Sequence, residues 1–337
     1  MPIKVRKSIS NLQSYNVGGR CDLSSDWECF DWNESEFPPT NKVFEVMKSF
    51  YRYERYPDIT AKQLKNKLSE YVSLPVDFIE VYNGSDDALK DIITVFVDKD
   101  TKVLSYQPSY TQVNTFITTN TEHYEKINIQ DPLGEHHYDF DYCKSADVVY
   151  LVNPNNPTGK LLPVKEIEKL VKQYPNTLFI VDEAYYEFAK QSCTHLVVSH
   201  KNLIVTRTFS KAFGLASVRL GYCMAHPDTL SDVRKIRNGK AVNALGQLCG
   251  IAALNDLDYL QSRIDEMNDA KKFFIDNLPN YYQAVNSDAN FVLVKTPDSK
   301  KVLEKMRENK ILIRDRSAFE NLENCVRITI GSKKQII

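Results

Sequence analysis

The chain has 337 residues, 42% hydrophobic and 26% charged, with a formal net charge of -1 at pH 7. A chain this long can bury a large core, and two domains are expected. The near-zero charge gives no general field to attract nucleic acid or an anionic membrane, and no apolar run approaches membrane-spanning length.

Residues 1–40 are irregular, with Gly18-Gly19, Pro38-Pro39 and the polar stretch Asp31-Trp32-Asn33-Glu34. They form either an arm packed on a domain surface or a segment crossing an active-site mouth. Val43, Phe44, Met47, Phe50 and Tyr51 give helical spacing over 40–54. Arg55-Tyr56-Pro57-Asp58 breaks that pattern, because a residue before proline is pushed out of the helical region. A helix over 60–72 and a strand over 79–82 follow. Asn83-Gly84-Ser85-Asp86-Asp87 then feeds a helix running to Phe96. This is either an ordinary capped helix start or a phosphate cradle of unpaired N–H groups. A strand over 102–106 leads to Tyr110, which either packs at a loop edge or stacks on a planar ring.

Residues 147–152 read as a buried strand running into Asn153-Pro-Asn-Asn-Pro-Thr-Gly159. The two prolines stiffen that loop, so its asparagines present their amides in fixed directions. A helix over 163–174 puts Ile167, Leu170, Val171 and Tyr174 on one face. The buried strand 177–181 ends in Asp182, where an unpaired charge is costly and a cationic partner is expected. The strand Leu203-Ile204-Val205 leads through Thr206, Thr208 and Ser210 to Lys211, and Arg219 precedes another strand over 220–224. A lysine at a strand end, with hydroxyls before it and an arginine nearby, can hold an aldehyde cofactor as a Schiff base; most lysines are simply solvated. Asp182 and Lys211 thus fall at neighbouring strand ends, where α/β sheets bind ligands.

The alternation over 79–224 indicates a three-layer α/β domain. A helical stretch over 227–275 follows, with Arg234-Lys-Ile-Arg237 as a solvated face. The end of the chain reads as a small α+β domain, with strands over 289–294, 311–313 and 326–330 and a helix over 299–309. Arg314 and Arg327 lie on or beside its strands. The seven cysteines form no C-x-x-C pair and suit reduced thiols in a cytoplasmic protein. The adjacent His136 and His137 do not converge on one ion, so no metal site is expected. The start, Met1-Pro-Ile-Lys-Val-Arg-Lys7, lacks the apolar segment of roughly 7–15 residues that a signal peptide needs.

Taken together, these motifs resemble the class I/II, fold-type I pyridoxal-phosphate aminotransferases, and among them most closely the histidinol-phosphate aminotransferases. The resemblance rests on Asn33-Glu34, Arg55-Tyr-Pro-Asp58, Asn83-Gly-Ser-Asp86, Pro108-Ser-Tyr110, Asn153 to Gly159, Val181-Asp-Glu-Ala-Tyr185, Arg207-Thr-Phe-Ser-Lys211, Arg219 and Val326-Arg-Ile-Thr-Ile-Gly331. Family members usually continue with a further helix after the position of Gly331; six residues follow it here.

The resemblance implies an aspartate aminotransferase-like large domain over 41–235, a small α+β domain over 236–337, and an arm over 1–40 that contributes to the small domain. It implies pyridoxal 5′-phosphate as cofactor, with Lys211, Asp182 and Tyr185 catalytic. Lys211 would bond the cofactor and shuttle a proton, and Asp182 would pair with its ring nitrogen. Asn156 and Tyr185 would reach its phenolic oxygen, and Tyr110 would stack on its ring. Its phosphate would be held by Gly84, Ser85, Asp86, Thr208, Ser210 and Arg219, with Tyr56 arriving across a homodimer boundary. Tyr15, Asn33, Arg314 and Arg327 would bind substrate, the two arginines gripping a phosphate or the carboxylate of glutamate. The implied reaction moves an amino group between glutamate or 2-oxoglutarate and an anionic, phosphorylated substrate, best represented by histidinol phosphate and imidazole acetol phosphate. Relatives with the same cofactor site include phosphoserine and phosphothreonine decarboxylases, and a catalytically silent relative is the third alternative.

Overall fold

The computed structural model describes residues 3, 5–10, 12 and 26–336; Tyr15 lies outside the described residues. The strands in chain order are β1 (Glu28–Cys29), β2 (Ile79–Tyr82), β3 (Val103–Gln107), β4 (Tyr124–Asn128), β5 (Val148–Val152), β6 (Leu178–Asp182) and β7 (Leu203–Thr208). They continue as β8 (Gly221–Ala225), β9 (Gln283–Ala284), β10 (Phe291–Lys295), β11 (Ile311–Leu312), β12 (Arg314–Asp315) and β13 (Cys325–Thr329).

Seven of them form one sheet in the order β2-β8-β7-β6-β5-β3-β4. Its strands are parallel except β8, which runs antiparallel to both neighbours. Side-chain alternation sorts the residues of each strand onto two faces. Phe179, Val181, Leu203 and Val205 share one core with Leu64 and Leu68 of the helix Lys62–Val72 and with Ile167, Leu170 and Val171 of Val164–Gln173. Leu178, Ile180 and Ile204 face the opposite core, against Leu89, Ile92 and Ile93 of Ser85–Phe96. The fold is therefore the three-layer, aspartate aminotransferase-like arrangement.

A four-stranded antiparallel sheet, β12-β13-β10-β9, carries a separate core around Val292, Val294 and Val326, which includes Phe30 from the N-terminal segment. That segment is tied in by the short parallel pair β1–β11. The helix Ala244–Leu254 lies on the far side of the expected boundary at 235/236, yet its Cys249, Ala252 and Ala253 join the core of the seven-stranded sheet. Its sequence, ALGQLCGIAAL, is apolar almost all round and needs cover on several sides. The following helix, Leu257–Asp276, spans both cores, with Leu260 and Ile264 in one and Met267 and Ala270 in the other.

Other expectations shift in detail. The helix predicted over 40–54 ends at Ser49, with Phe50 already extended. The stretch 227–275 divides into three α-helices and a short 3-10 turn, and the Asn243 side chain caps Ala244–Leu254 by accepting from the Gly246 N–H at 2.6 Å. The helix Gln112–Asn120 and the edge strand β4 carry no strong apolar pattern and were not predicted.

Glu80 on β2 is buried among Lys65, Arg234 and Arg237, at 3.2, 2.8 and 3.1 Å. Burial pushes its carboxyl up, but Arg237, Lys65 and Arg234 together bring it below the usual range. Its stabilising contribution is thus present at neutral pH and is lost as pH falls through the lowered value. Glu80→Gln should destabilise the fold at pH 7 by about 3 kcal/mol, because the three cations lose their counter-charge. Urea unfolding checks this, and the gap between variant and parent should narrow as the pH falls below the ordinary carboxyl range.

Candidate active site

The parallel strands β5, β6 and β7 end side by side, with Val152 opposite Asp182 and Asp182 opposite Thr206. A cavity of about 1190 Å³ opens at this edge. Its walls bring together Ser85, Asp86, Tyr110, Asn156, Asp182, Tyr185, Thr208, Ser210, Lys211 and Arg219 from the strand ends, loops and helix start of the large domain, with Asn33, Arg314 and Arg327 from the N-terminal segment and small sheet.

Asp182 is buried at the floor. Its Oδ2 accepts from the Tyr150 hydroxyl at 3.0 Å and its Oδ1 from the Thr206 hydroxyl at 3.1 Å. Burial raises its carboxyl to about 6, although both hydrogen bonds pull the other way. Lys211 shows the opposite shift from the same cause. Burial, then the charge of Arg327, lowers its amine to about 8. Its Nζ donates to the Trp32 carbonyl at 2.8 Å and lies 6.0 Å from the centre of the Tyr185 ring. The Tyr185 hydroxyl accepts from Asn33 Nδ2 at 2.9 Å.

The helix Ser85–Phe96 starts at Gly84, whose φ of +86° and ψ of 160° suit glycine alone. A Cβ there would stand 2.7 Å from a terminal nitrogen of Arg219. Gly221 plays a similar part from β8, since a Cβ on it would lie 2.3 Å from the Ser85 nitrogen. The first N–H groups of the helix, the Arg219 guanidinium and the Thr208 and Ser210 hydroxyls, 3.0 Å apart, therefore converge on one corner. Asp86 accepts from the Tyr110 hydroxyl at 2.9 Å, which fixes that ring on the cavity wall.

The Asn153–Gly159 loop is held by its own side chains. Asn153 exchanges two hydrogen bonds with Leu162, at 2.9 and 2.7 Å, and Asn155 donates to Pro108 O and Thr158 Oγ1. Asn156 is thus presented to Arg327, which donates to its Oδ1 at 2.7 Å.

Tyr56 is not in this cavity. It is 79% exposed, with the Lys240 ammonium 4.9 Å from its ring centre. Tyr15 lies outside the described residues. Among the described residues no group of three or more His, Cys, Asp or Glu side chains could hold a metal ion, and no helix is long and apolar enough to cross a membrane.

Two participants escaped sequence reasoning. Tyr150 holds Asp182, and period-two alternation could have placed it on that face. Arg316 also lines the cavity, two residues beyond Arg314. Thr206, expected among the hydroxyls at the cofactor, instead donates to Asp182.

The sequence model for aminotransferase class I and II matches residues 23–336. The chain belongs to the class I and II aminotransferases. It is 37% identical to a dihydroxyacetone phosphate transaminase of Campylobacter jejuni, over 91% of this chain and 86% of that one. It is 30% identical to a histidinol-phosphate aminotransferase of Geotalea daltonii, over 99% and 96% of the two chains. Among solved structures, histidinol-phosphate aminotransferase from Sinorhizobium meliloti in complex with pyridoxal-5′-phosphate superposes with a TM-score of 0.83 at 25% identity, over 92% of this chain and 88% of that one.

The enzyme is a pyridoxal-phosphate-dependent aminotransferase. The residues present fit that cofactor. The corner kept open by Gly84 offers N–H groups, hydroxyls and a guanidinium to a phosphate. The buried Asp182 offers a negative charge to a ring nitrogen, and Lys211 offers a partly neutral amine to an aldehyde.

Gly84→Val should weaken cofactor retention about tenfold or more, by straining the turn and displacing Arg219. Equilibrium dialysis, followed by the absorbance of bound cofactor, measures it.

Proposed function

We propose that this aminotransferase moves an amino group between glutamate and a small phosphorylated ketone. The ketone carries its carbonyl one carbon from a phosphate ester. Imidazole acetol phosphate, with histidinol phosphate as its amine, is the first candidate. Dihydroxyacetone phosphate shares the same acetol phosphate frame. The observation that carries this reading is the pair Arg314 and Arg327. They stand directly opposite one another on β12 and β13 and line the same cavity as Lys211. Neither candidate amine bears a carboxylate, so its anionic end is the phosphate, and two guanidinium forks suit that dianion. The same pair would take a carboxylate of glutamate in the other half-reaction.

When bound, the cofactor supplies an aldehyde carbon for the amino group and a ring that draws electron density from the substrate carbon. Lys211 would hold the cofactor's aldehyde end, and its Nζ, an amine lowered to about 8, would accept the proton from the substrate carbon bearing the amino group. Asp182 would hold its charge against the ring nitrogen and keep the proton there. Tyr185 and Asn156 would hydrogen-bond the phenolic oxygen, and Tyr110 would cover one face of the ring. The backbone N–H groups of Ser85 and Asp86, the Thr208 and Ser210 hydroxyls and Arg219 would grip the phosphate. Asn33 orients Tyr185 through its amide.

The exposed Tyr51, Tyr53 and Tyr56 support a homodimer in which Tyr56 would complete the phosphate site of a second copy. Likeness to biosynthetic histidinol-phosphate aminotransferases supports a cytoplasmic location.

The holoenzyme should convert histidinol phosphate or dihydroxyacetone phosphate in coupled assays, with glutamate and 2-oxoglutarate as the exchanging pair. Release of carbon dioxide from O-phosphoserine without any keto acceptor would assign decarboxylation instead. Lys211→Ala should lower turnover at least about a thousandfold. Full turnover in that variant with the native substrate would rule out its assigned role. Asp182→Asn should retain bound cofactor, seen by absorbance, yet lose roughly a hundredfold or more in kcat.

A further inference from the structure

Arg314 and Arg327 face each other across the β12–β13 ladder. The ladder does not stop at Asp315. The Arg316 N–H donates to the Cys325 carbonyl at 2.9 Å, so the extended pairing runs on for one more step. Residues two apart on an extended strand point to the same side, about 7 Å further along. Arg316 accordingly lines the cavity with Arg314 and Arg327, whereas Asp315 between them does not. The Arg316 guanidinium lies 5.9 Å from the centre of the Phe319 ring, a cation–π contact that favours one orientation. Its charge reaches inward. Arg327 and Arg316 both act to lower the Tyr185 hydroxyl, although burial raises it overall.

A carboxylate has two oxygens in one plane, and one guanidinium fork can satisfy both. A phosphate monoester has three terminal oxygens pointing in different directions and carries up to two charges. Forks arriving from two positions along a strand match the second shape better than the first. We propose that Arg316 is a specificity-determining residue: a third guanidinium that selects a phosphate over a carboxylate at the substrate's anionic end. This deepens the phosphorylated-ketone reading and rests on it for the identity of the substrate. The anion site itself is testable without it.

The test uses holoenzyme, wild type against R316Q and R316K, with melting temperature and cofactor absorbance recorded for each. Inorganic phosphate serves as probe, its inhibition constant measured in competition with the amino substrate. In R316Q that constant should weaken about ten- to a hundredfold, and the KM for the phosphorylated amine should rise in parallel. The KM for glutamate should rise less than about threefold, because two guanidinium groups remain for its carboxylates. R316K, which keeps the charge but loses the fork, should fall between the two, and it carries the test if R316Q does not fold. A phosphate constant within about twofold of wild type in both variants would overturn the proposal, as would equal losses for phosphate and glutamate. If phosphate inhibition depends on Arg316 but no phosphorylated amine or ketone reacts, the anion site stands and the substrate reading fails.

Discussion

A buried ion pair on the face of the sheet away from the cavity sets the geometry of everything on the near face. Arg207 on β7 and Glu183 just beyond β6 meet at 2.9 Å with side-chain exposures of 2% and 0%. Glu183 also accepts from the Cys193 N–H and the Ser192 hydroxyl, both at 2.7 Å, and the Arg207 guanidinium lies 3.3 Å from the centre of the Tyr186 ring. Each charge therefore has several partners, the condition under which a buried pair does not destabilise its fold. Alternation makes the consequence functional. Asp182 and Ala184 flank Glu183, Thr208 follows Arg207, and all three of these neighbours line the cavity. The pair clamps two strand ends from behind while their neighbours project into the cavity. A slip of one residue in either strand would exchange the faces and bury the wrong charges.

The second constraint joins the two sheets. Arg327 belongs to the small sheet and Asn156 to a loop of the large one, and their hydrogen bond crosses the cavity. The N-terminal segment is fastened at the same point. Asn33 N–H donates to the Thr329 hydroxyl at 3.0 Å, Asn290 Nδ2 donates to the Asn33 carbonyl at 3.2 Å, and Arg327 donates to the Asp31 carbonyl. Asn33 itself has φ +55°, a left-handed conformation that asparagine tolerates better than most residues. Polar groups buried at a boundary between cores stay satisfied only in one mutual arrangement, so these bonds specify how the parts sit together.

What was legible in the sequence follows from this division. Strands β5, β6 and β7 could be read because both of their faces are covered, which leaves continuous runs such as Val148 to Val152. Position placed Asp182 and Lys211 at neighbouring strand ends, while their roles and those of Asn156 and Tyr185 rest on the resemblance. β4 could not be read, since an edge strand of sequence YEKIN has one neighbour and exposed positions. The helix Gln112–Asn120 has five threonine and asparagine residues in its nine, which weakens both its apolar period and its propensity. The helix Ala244–Leu254 falls beyond the expected boundary at 235/236, and its apolar content shows that it is buried but not which sheet buries it. Arg316 was missed for a related reason. The two-residue β12 is too short to show alternation, and the pairing that carries it one step further is a backbone bond to a distant strand.

The cavity floor shows how one physical cause gives two opposite chemical groups. Removal from water disfavours charge of either sign. It raises the acid Asp182 to about 6 and lowers the amine Lys211 to about 8, so both sit closer to neutral pH than either would in solvent. Their positions then separate their uses. Asp182 is pinned by Tyr150 and Thr206 and can only present a fixed charge, whereas Lys211 is held at its tip by the carbonyl of Trp32 alone among the hydrogen bonds resolved. An immobile acid is suited to biasing a bound ring, and a long side chain with a single tether is suited to moving a proton. The surrounding charges keep the two apart in behaviour: Asp86 pushes Asp182 further up, while Arg327 pushes Lys211 further down. In the proposed reaction Arg327 would belong to two arrangements, binding the substrate's anionic end and holding the lysine in a form able to accept a proton. A guanidinium that meets an incoming anion has part of its field neutralised by it. Substrate binding would then raise the basicity of Lys211 at the moment a base is needed.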